Sequence, residues 1–179
     1  MDRKEKGILF LVFITIYTLY FVTSTGMNTS NDGAHIGLAK SIYYEHQFNV
    51  EKYLDVYVSR PDYAVKNNQI YSDRLPGMAS LMIPAFAYAN VLKGLGFSTA
   101  NETNELDIVI ASILPPLFGL LSAILLFLYY YKILRKKFSI SIICTVIYAF
   151  ATLAWLESSH LFSHAPSLLF VSLAVLIVI

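Results

Sequence analysis

The chain is poor in cysteine and in charge. Its one cysteine, Cys144, lies inside an apolar run, which excludes an intrachain disulfide and a cysteine metal cluster. Charged residues make up 14% of the sequence, against about a quarter in a soluble domain. With 56% of residues apolar, that shortage places the chain among membrane proteins. The net charge of +1 leaves no surplus to attract nucleic acid or an acidic ligand. Internal repeats and low-complexity tracts are missing as well. The first apolar run, Ile8 to Val22, leads into Thr23-Ser24-Thr25-Gly26, which lacks the small-x-small pattern of a cleavage site. A retained anchor fits this start better than a cleaved leader.

What is present is a series of long apolar runs. A bilayer core of about 30 Å takes about 20 apolar residues per helix. Runs at about 7–23, 107–131, 138–156 and 165–179 predict an all-α polytopic membrane protein with about four transmembrane helices. The last run is still apolar at Ile179, so the chain reads as the N-terminal portion of a longer membrane protein. Arg3, Lys4 and Lys6 precede the first run, and Lys132, Arg135, Lys136 and Lys137 join the second to the third. These seven of the 13 basic residues put both segments in the cytoplasm by the positive-inside bias. The expected location is thus the cell membrane, multi-pass, with a cytoplasmic N-terminus. A long first extracytoplasmic loop, about 24–106, and a short one, 157–164, then face outward, and all four histidines fall on that side.

One further segment, 75–92, is apolar enough to be weighed as a span. Its crossing would move the Lys132–Lys137 cluster outside, and Pro76, Gly77 and Pro84 interrupt it. It is expected as one or two helices at the outer interface or against the bundle. Earlier in the loop, Ile36, Ala39, Ile42 and Tyr43 share one helical face, which predicts an amphipathic surface helix over 33–46 with Asp32 at its start. Lys40 and Glu45 fall off that face. Weak alternation at Val56 and Val58 predicts an extended stretch over 50–60, and Asn67-Asn68 a turn. Two glycosylation tripeptides, Asn28-Thr29-Ser30 and Asn101-Glu102-Thr103, lie in the outward loop. Tyr17, Tyr20, Phe21 and Tyr129-Tyr130-Tyr131 suit an interfacial aromatic belt. Pro115-Pro116 predicts a kink early in the second span.

The order of these parts carries a resemblance. An acidic motif, Asn31-Asp32-Gly33-Ala34-His35, follows the first span. A basic–proline motif, Tyr71-Ser72-Asp73-Arg74-Leu75-Pro76-Gly77, leads into the apolar segment Leu81-Met82-Ile83-Pro84-Ala85-Phe86. A span, a basic loop, a span and a short polar loop come next. In this order the chain resembles the N-terminal portion of GT-C superfamily membrane glycosyltransferases, closest to the family 39-type branch of protein mannosyltransferases and aminoarabinose transferases. It departs from that branch in two places: Asn31-Asp32 stands where paired acids are common, and Arg74-Leu75-Pro76 where Lys-Pro-Pro is common.

The resemblance implies transfer of a sugar from a polyprenyl-phosphate donor to an extracytoplasmic acceptor (protein, lipid or glycan), with inversion at the anomeric carbon. It implies Asp32 as general base, Arg74 as phosphate binder, and Asn31 and Tyr71 as further substrate contacts. Each residue also has a plainer reading. Asp32 at a helix start is an N-cap, worth about 1 kcal/mol. Arg74 at an interface is a snorkelling cation. Glu157, His160 and His164 in the second outer loop would form a divalent-metal set if the two histidines shared a helical face. Otherwise they are polar residues ending one span and starting the next, with Ser163 and Pro166 at the next helix start. His35 reads as an interfacial helix residue. The function from another class is a non-catalytic polytopic membrane protein, a transporter or assembly subunit, whose outer loop binds a partner. A transporter calls for polar residues within spans, and the three complete runs have almost none.

Overall fold

The computed structural model describes residues 1–24, 26–59, 62–98, 105–161 and 163–178. Among them the chain is mostly helical, with one small sheet. It divides into two units. Unit 1 comprises 1–24, 115–159 and 164–179, and unit 2 comprises 25–114 and 160–163.

Unit 1 opens with helix α1, Arg3–Val22, started by a capping box in which Asp2 and Glu5 exchange backbone hydrogen bonds. Helix α5, Leu114–Leu128, has Pro115 and Pro116 in its first turn, where their missing N–H groups cost nothing. It ends in a π-turn, Tyr129–Ile133, that takes in all three consecutive tyrosines. Helices α6, Phe138–Ala151, α7, Ala154–Glu157, and α8, His164–Val178, complete the unit. Its core is narrow: Ile16 and Tyr20 of α1 meet Ala123 of α5 and Ala149 of α6. The Tyr20 hydroxyl donates to the Ala149 carbonyl at 2.8 Å. A Cβ at Gly119 would overlap Ser158 and press on the Tyr20 ring, so glycine is what lets these segments close up. Trp155 Nε1 donates to Thr23 Oγ1 at 2.9 Å, tying α7 to the end of α1.

Two helical segments are long and apolar enough to cross a membrane, Arg3–Val22 and Leu106–Ile133. Only 11% of the α1 window is buried, and Phe10, Leu11 and Ile14 point outward. An apolar helix exposed along its length is what a lipid-facing anchor looks like. The third expected span comes out shorter and the fourth at the length of its apolar run. Helix α6 has 14 residues and α8 has 15. The expected run to 156 stops at Ala151 because Thr152 is extended (φ −129°, ψ 178°), and its hydroxyl accepts from Ala154 N at 3.1 Å in the turn ahead of α7.

Unit 2 contains helix α2, Ser30–Glu45, a 3₁₀ turn at Glu51–Tyr53, a β-hairpin of β1, Tyr63–Lys66, and β2, Gln69–Ser72, helix α3, Pro76–Gly94, and helix α4, Leu106–Ala111. The hairpin is antiparallel, with Tyr63 opposite Ser72 and Lys66 opposite Gln69. Its two-residue turn is Asn67-Asn68, both at positive φ (52° and 59°), which matches strand twist and suits asparagine. The extended stretch expected over 50–60 is, in its described part to Ser59, instead the 3₁₀ turn and irregular turns, and the strands lie after it. Helix α3 is a single helix in which Met78, Ala79, Met82, Ala85, Phe86 and Ala89 form one buried stripe. That stripe packs on α2 together with Ile36, Leu38, Ala39, Val50, Val58, Ile108 and Leu161.

Helix α2 corrects an expectation. It is no amphipathic surface helix: every residue from Asp32 to Ser41 is buried, polar ones included. On one side the Tyr53–Val58 turn lies so close that a Cβ at Gly33 would overlap the Tyr57 carbonyl oxygen, and one at Gly37 the Val58 side chain. On another side α3 covers it. Periodicity found the apolar face correctly, but the opposite face is buried by turns that have no periodic signal.

Candidate functional site

The start of α2 gathers the residues singled out from the sequence. Thr29, not Asp32, is the N-cap, and Asp32 is the third helical residue of a full capping box. Thr29 Oγ1 accepts from the Asp32 amide at 3.2 Å. Asp32 Oδ2 in return accepts from the amides of Asn28 and Thr29, at 3.1 and 3.0 Å, and from the Thr29 hydroxyl at 2.9 Å. The motif binds both residues because threonine and aspartate stand three apart. Asp32 is 0% exposed, yet its Oδ1 has no hydrogen-bond partner among the described residues, and neither does the buried Asn31 Oδ1 beside it. Two adjacent acceptor oxygens are therefore left over at the helix start. Buried acceptors are nearly always satisfied, so a pair of unsatisfied ones is a place where a donor belongs.

Arg74 follows the hairpin. Its amide donates to Ser72 Oγ at 3.1 Å, and Ser72 Oγ donates to the Ala34 carbonyl at 3.4 Å. The turn that carries Arg74 is in this way fastened to the first turns of α2, two residues beyond Asp32. The guanidinium is not free. It pairs with the buried carboxylate of Asp62, and its Nε lies 3.2 Å from Asp73 Oδ1, off-line for a hydrogen bond. Two acids around one arginine leave the cluster net negative, so an anion binds there only by displacing Asp62. Tyr71, on β2, donates its hydroxyl to Gln69 of the same strand. His35 is buried in α2 and not at an interface.

Among the described residues the 157–164 segment does not gather the metal set weighed from the sequence. The shared face required one helix through both histidines, but α7 ends at Glu157 and α8 begins at His164, leaving His160 between them outside any helix. Among the described residues no group of three His, Cys, Asp or Glu side chains is gathered to hold a metal ion. The glycosylation tripeptide Asn101-Glu102-Thr103 lies outside the described residues. In the other one, the Thr29 side chain is taken up by the capping box.

A second polar centre lies in unit 2, with little local signal in the sequence. Lys40, buried midway along α2, places its Nζ 2.7 Å from Oδ2 of the fully buried Asp107 and also against Glu105. Tyr57 donates to Glu105, and the Tyr44 hydroxyl lies 3.3 Å from Asp107. The ammonium also sits over the rings of Tyr57, Tyr44 and Phe86, at 5.0 to 5.8 Å from their centroids. Burial pushes the Tyr57 and Tyr44 hydroxyls above the ordinary phenol range, and the carboxylates beside them add to the shift. Tyr53 is pushed up to about 12 by burial and by its neighbour Glu45. A cation enclosed by two carboxylates and three rings is saturated. It holds α2 against the Glu105–Asp107 segment and leaves no coordination for a substrate.

Comparison of the chain with protein-family models, with curated proteins and with solved structures finds no match. The chemistry of the α2 start therefore has to speak for itself.

Proposed function

We propose that this chain is the N-terminal part of a polytopic membrane glycosyltransferase that moves a sugar from a polyprenyl-phosphate donor to an extracytoplasmic acceptor. One observation carries the proposal: the buried Oδ1 of Asp32, without a hydrogen-bond partner among the described residues, on a carboxylate whose other oxygen is fixed by three donors. A general base must be held in place and keep a lone pair available, and that division of labour between two oxygens meets both needs. The acceptor hydroxyl gives its proton to Asp32 Oδ1 while its oxygen attacks the anomeric carbon. The bond from that carbon to the phosphate oxygen breaks, and the phosphate leaves with the electron pair. Arg74, freed from Asp62, is the group suited to meet that charge bidentately. No metal enters this scheme. The four-span topology with a cytoplasmic N-terminus belongs to the same proposal and is supported by the two candidate spans and the basic clusters.

One observation favours the non-catalytic alternative. Asp32 is wholly enclosed, as befits a residue whose only task is to start a helix, and the outer region would then serve to bind a partner. Asp32→Asn separates the two, because asparagine keeps an acceptor oxygen for the capping box and cannot take a proton. In the full-length protein, turnover of polyprenyl-phosphate-linked sugar is expected to fall by about 10²–10⁴, with the thermal midpoint little changed. Undiminished turnover by the variant would remove Asp32 from the chemistry and favour the alternative.

A further inference from the structure

Unit 1 contains a groove of about 950 Å³ between the end of α6, α7 and the first half of α8. Its size is at the upper end of the range for small-molecule sites. The walls grade from polar to apolar. Glu157, His164 and Ser167 line one part, Leu168 and Val171 line another, and Tyr148, whose buried hydroxyl has no hydrogen-bond partner among the described residues, also lines it. From His164 to Val171 the helix advances about 10 Å at 1.5 Å per residue. Glu157 Oε2 is buried and has no hydrogen-bond partner among the described residues. The outer face of α8 beside the groove is apolar and exposed at Phe170, Val171 and Val175.

These features set the chemistry of an occupant. A long apolar trough with a single orphaned carboxylate at its polar end matches an amphiphile with a hydrocarbon tail and a cationic donor. A carboxylate repels a headgroup whose only charge is a phosphate, which argues against the polyprenyl-phosphate donor here. A charge-assisted N–H bond would satisfy Glu157 where water is scarce. We propose that this groove binds a bilayer phospholipid with a primary-ammonium headgroup, the ammonium on Glu157 and one acyl tail along Leu168 and Val171. The site rests on unit 1 facing the bilayer and is independent of the glycosyl-transfer proposal.

The chain offers its own reporter. Trp155 is its one tryptophan and is next to Ala154, which lines the groove. The full chain, reconstituted in a fixed host bilayer, would be titrated with minor amounts of acyl-brominated phosphatidylethanolamine, phosphatidylcholine or phosphatidylglycerol, and Trp155 quenching read. The expected result is apparent binding about three- to tenfold tighter for the primary amine than for the other two, as one charged hydrogen bond supports. Glu157→Gln is expected to abolish the difference. Val171→Phe, which narrows the apolar end without touching Glu157, should weaken quenching by all three lipids. Equal quenching by ethanolamine and choline lipids in the wild-type chain overturns the proposal even if the variants fail to fold. Equal quenching by the glycerol lipid shows that a hydroxyl suffices and overturns the ammonium assignment. No quenching at all assigns the groove to protein rather than to lipid.

Discussion

Lys40 and Asp107 are 67 positions apart in sequence, and each is buried where a lone charge is untenable. Removing Lys40 leaves Asp107 with only the half-exposed Lys93, 4.0 Å away, as counter-charge, beside the Ile108 amide and the Tyr44 hydroxyl, so the cost approaches the typical penalty of about 3–5 kcal/mol for breaking a buried pair. Lys40→Met is therefore expected to destabilise unit 2 by about that amount in denaturant titrations of the detergent-solubilised protein. Adding Asp107→Leu should recover most of the loss, since a buried pair replaced by apolar groups of similar size is often neutral. A cost below about 1 kcal/mol for the single variant would mean that Lys40 is hydrated, as surface ion pairs are. Asp32 is constrained differently. It is buried by choice of neighbours rather than by a counter-charge, and its residual acceptor is the reason it, not Lys40, is assigned the chemistry. From the sequence Lys40 was only a residue off the apolar face. Nothing local to α2 announces a partner so distant, and that is why the centre of unit 2 was not legible.

Among the elements, those set by local rules were the legible ones. The first span, the helix after Asp32 and the turn at Asn67-Asn68 all follow from short-range patterns, and each is found where its pattern lies. The strands were misplaced because Val56 and Val58 alternate weakly, whereas the residues that pair are fixed by the turn behind them. Register is set by the turn, since a two-residue loop leaves one way to pair Lys66 with Gln69. That dependence can be measured. Replacing both asparagines with alanine puts two Cβ-bearing residues without local hydrogen bonding into left-handed conformation, at about 1–2 kcal/mol each. Asn68→Gly should instead stabilise the hairpin slightly, Asn-Gly being the favoured two-residue turn. Amide exchange at Val65 and Ile70 would report both effects. Equal protection in the double-alanine variant would mean that packing of β2 on α2, and not the turn, holds the register. The end of α6 was missed for a related reason: composition alone does not reveal that the backbone turns extended at Thr152 inside an apolar run.

For the whole molecule the deciding question is whether α3 crosses the bilayer. It has 19 residues, enough in length, but Pro84 lies within it and its buried stripe is spent on α2. A helix that gives one face to a soluble-like core and keeps Tyr88 and Val91 exposed is built to lie against a domain. The positive-inside bias points the same way, since a crossing there would carry Lys132, Arg135, Lys136 and Lys137 to the outer side. The proposed topology has one crossing between Lys66 and Arg135, the candidate span Leu106–Ile133, and so predicts the two residues on opposite faces of the membrane. Both are exposed, so each accepts a cysteine without structural cost. In a Cys144→Ser background, Lys66→Cys is expected to react with a membrane-impermeant maleimide in intact cells, and Arg135→Cys only after permeabilisation. Reaction of both in intact cells would mean that α3 crosses. Asp32 and Arg74 both precede α3 and would stay at one face, whereas the 157–164 segment would move to the opposite face from them. The proposed four-span topology would not survive that result, because a fifth crossing would carry the Lys132–Lys137 cluster outward and the 157–164 segment inward, while the pairing of Asp32 with Arg74 would be untouched.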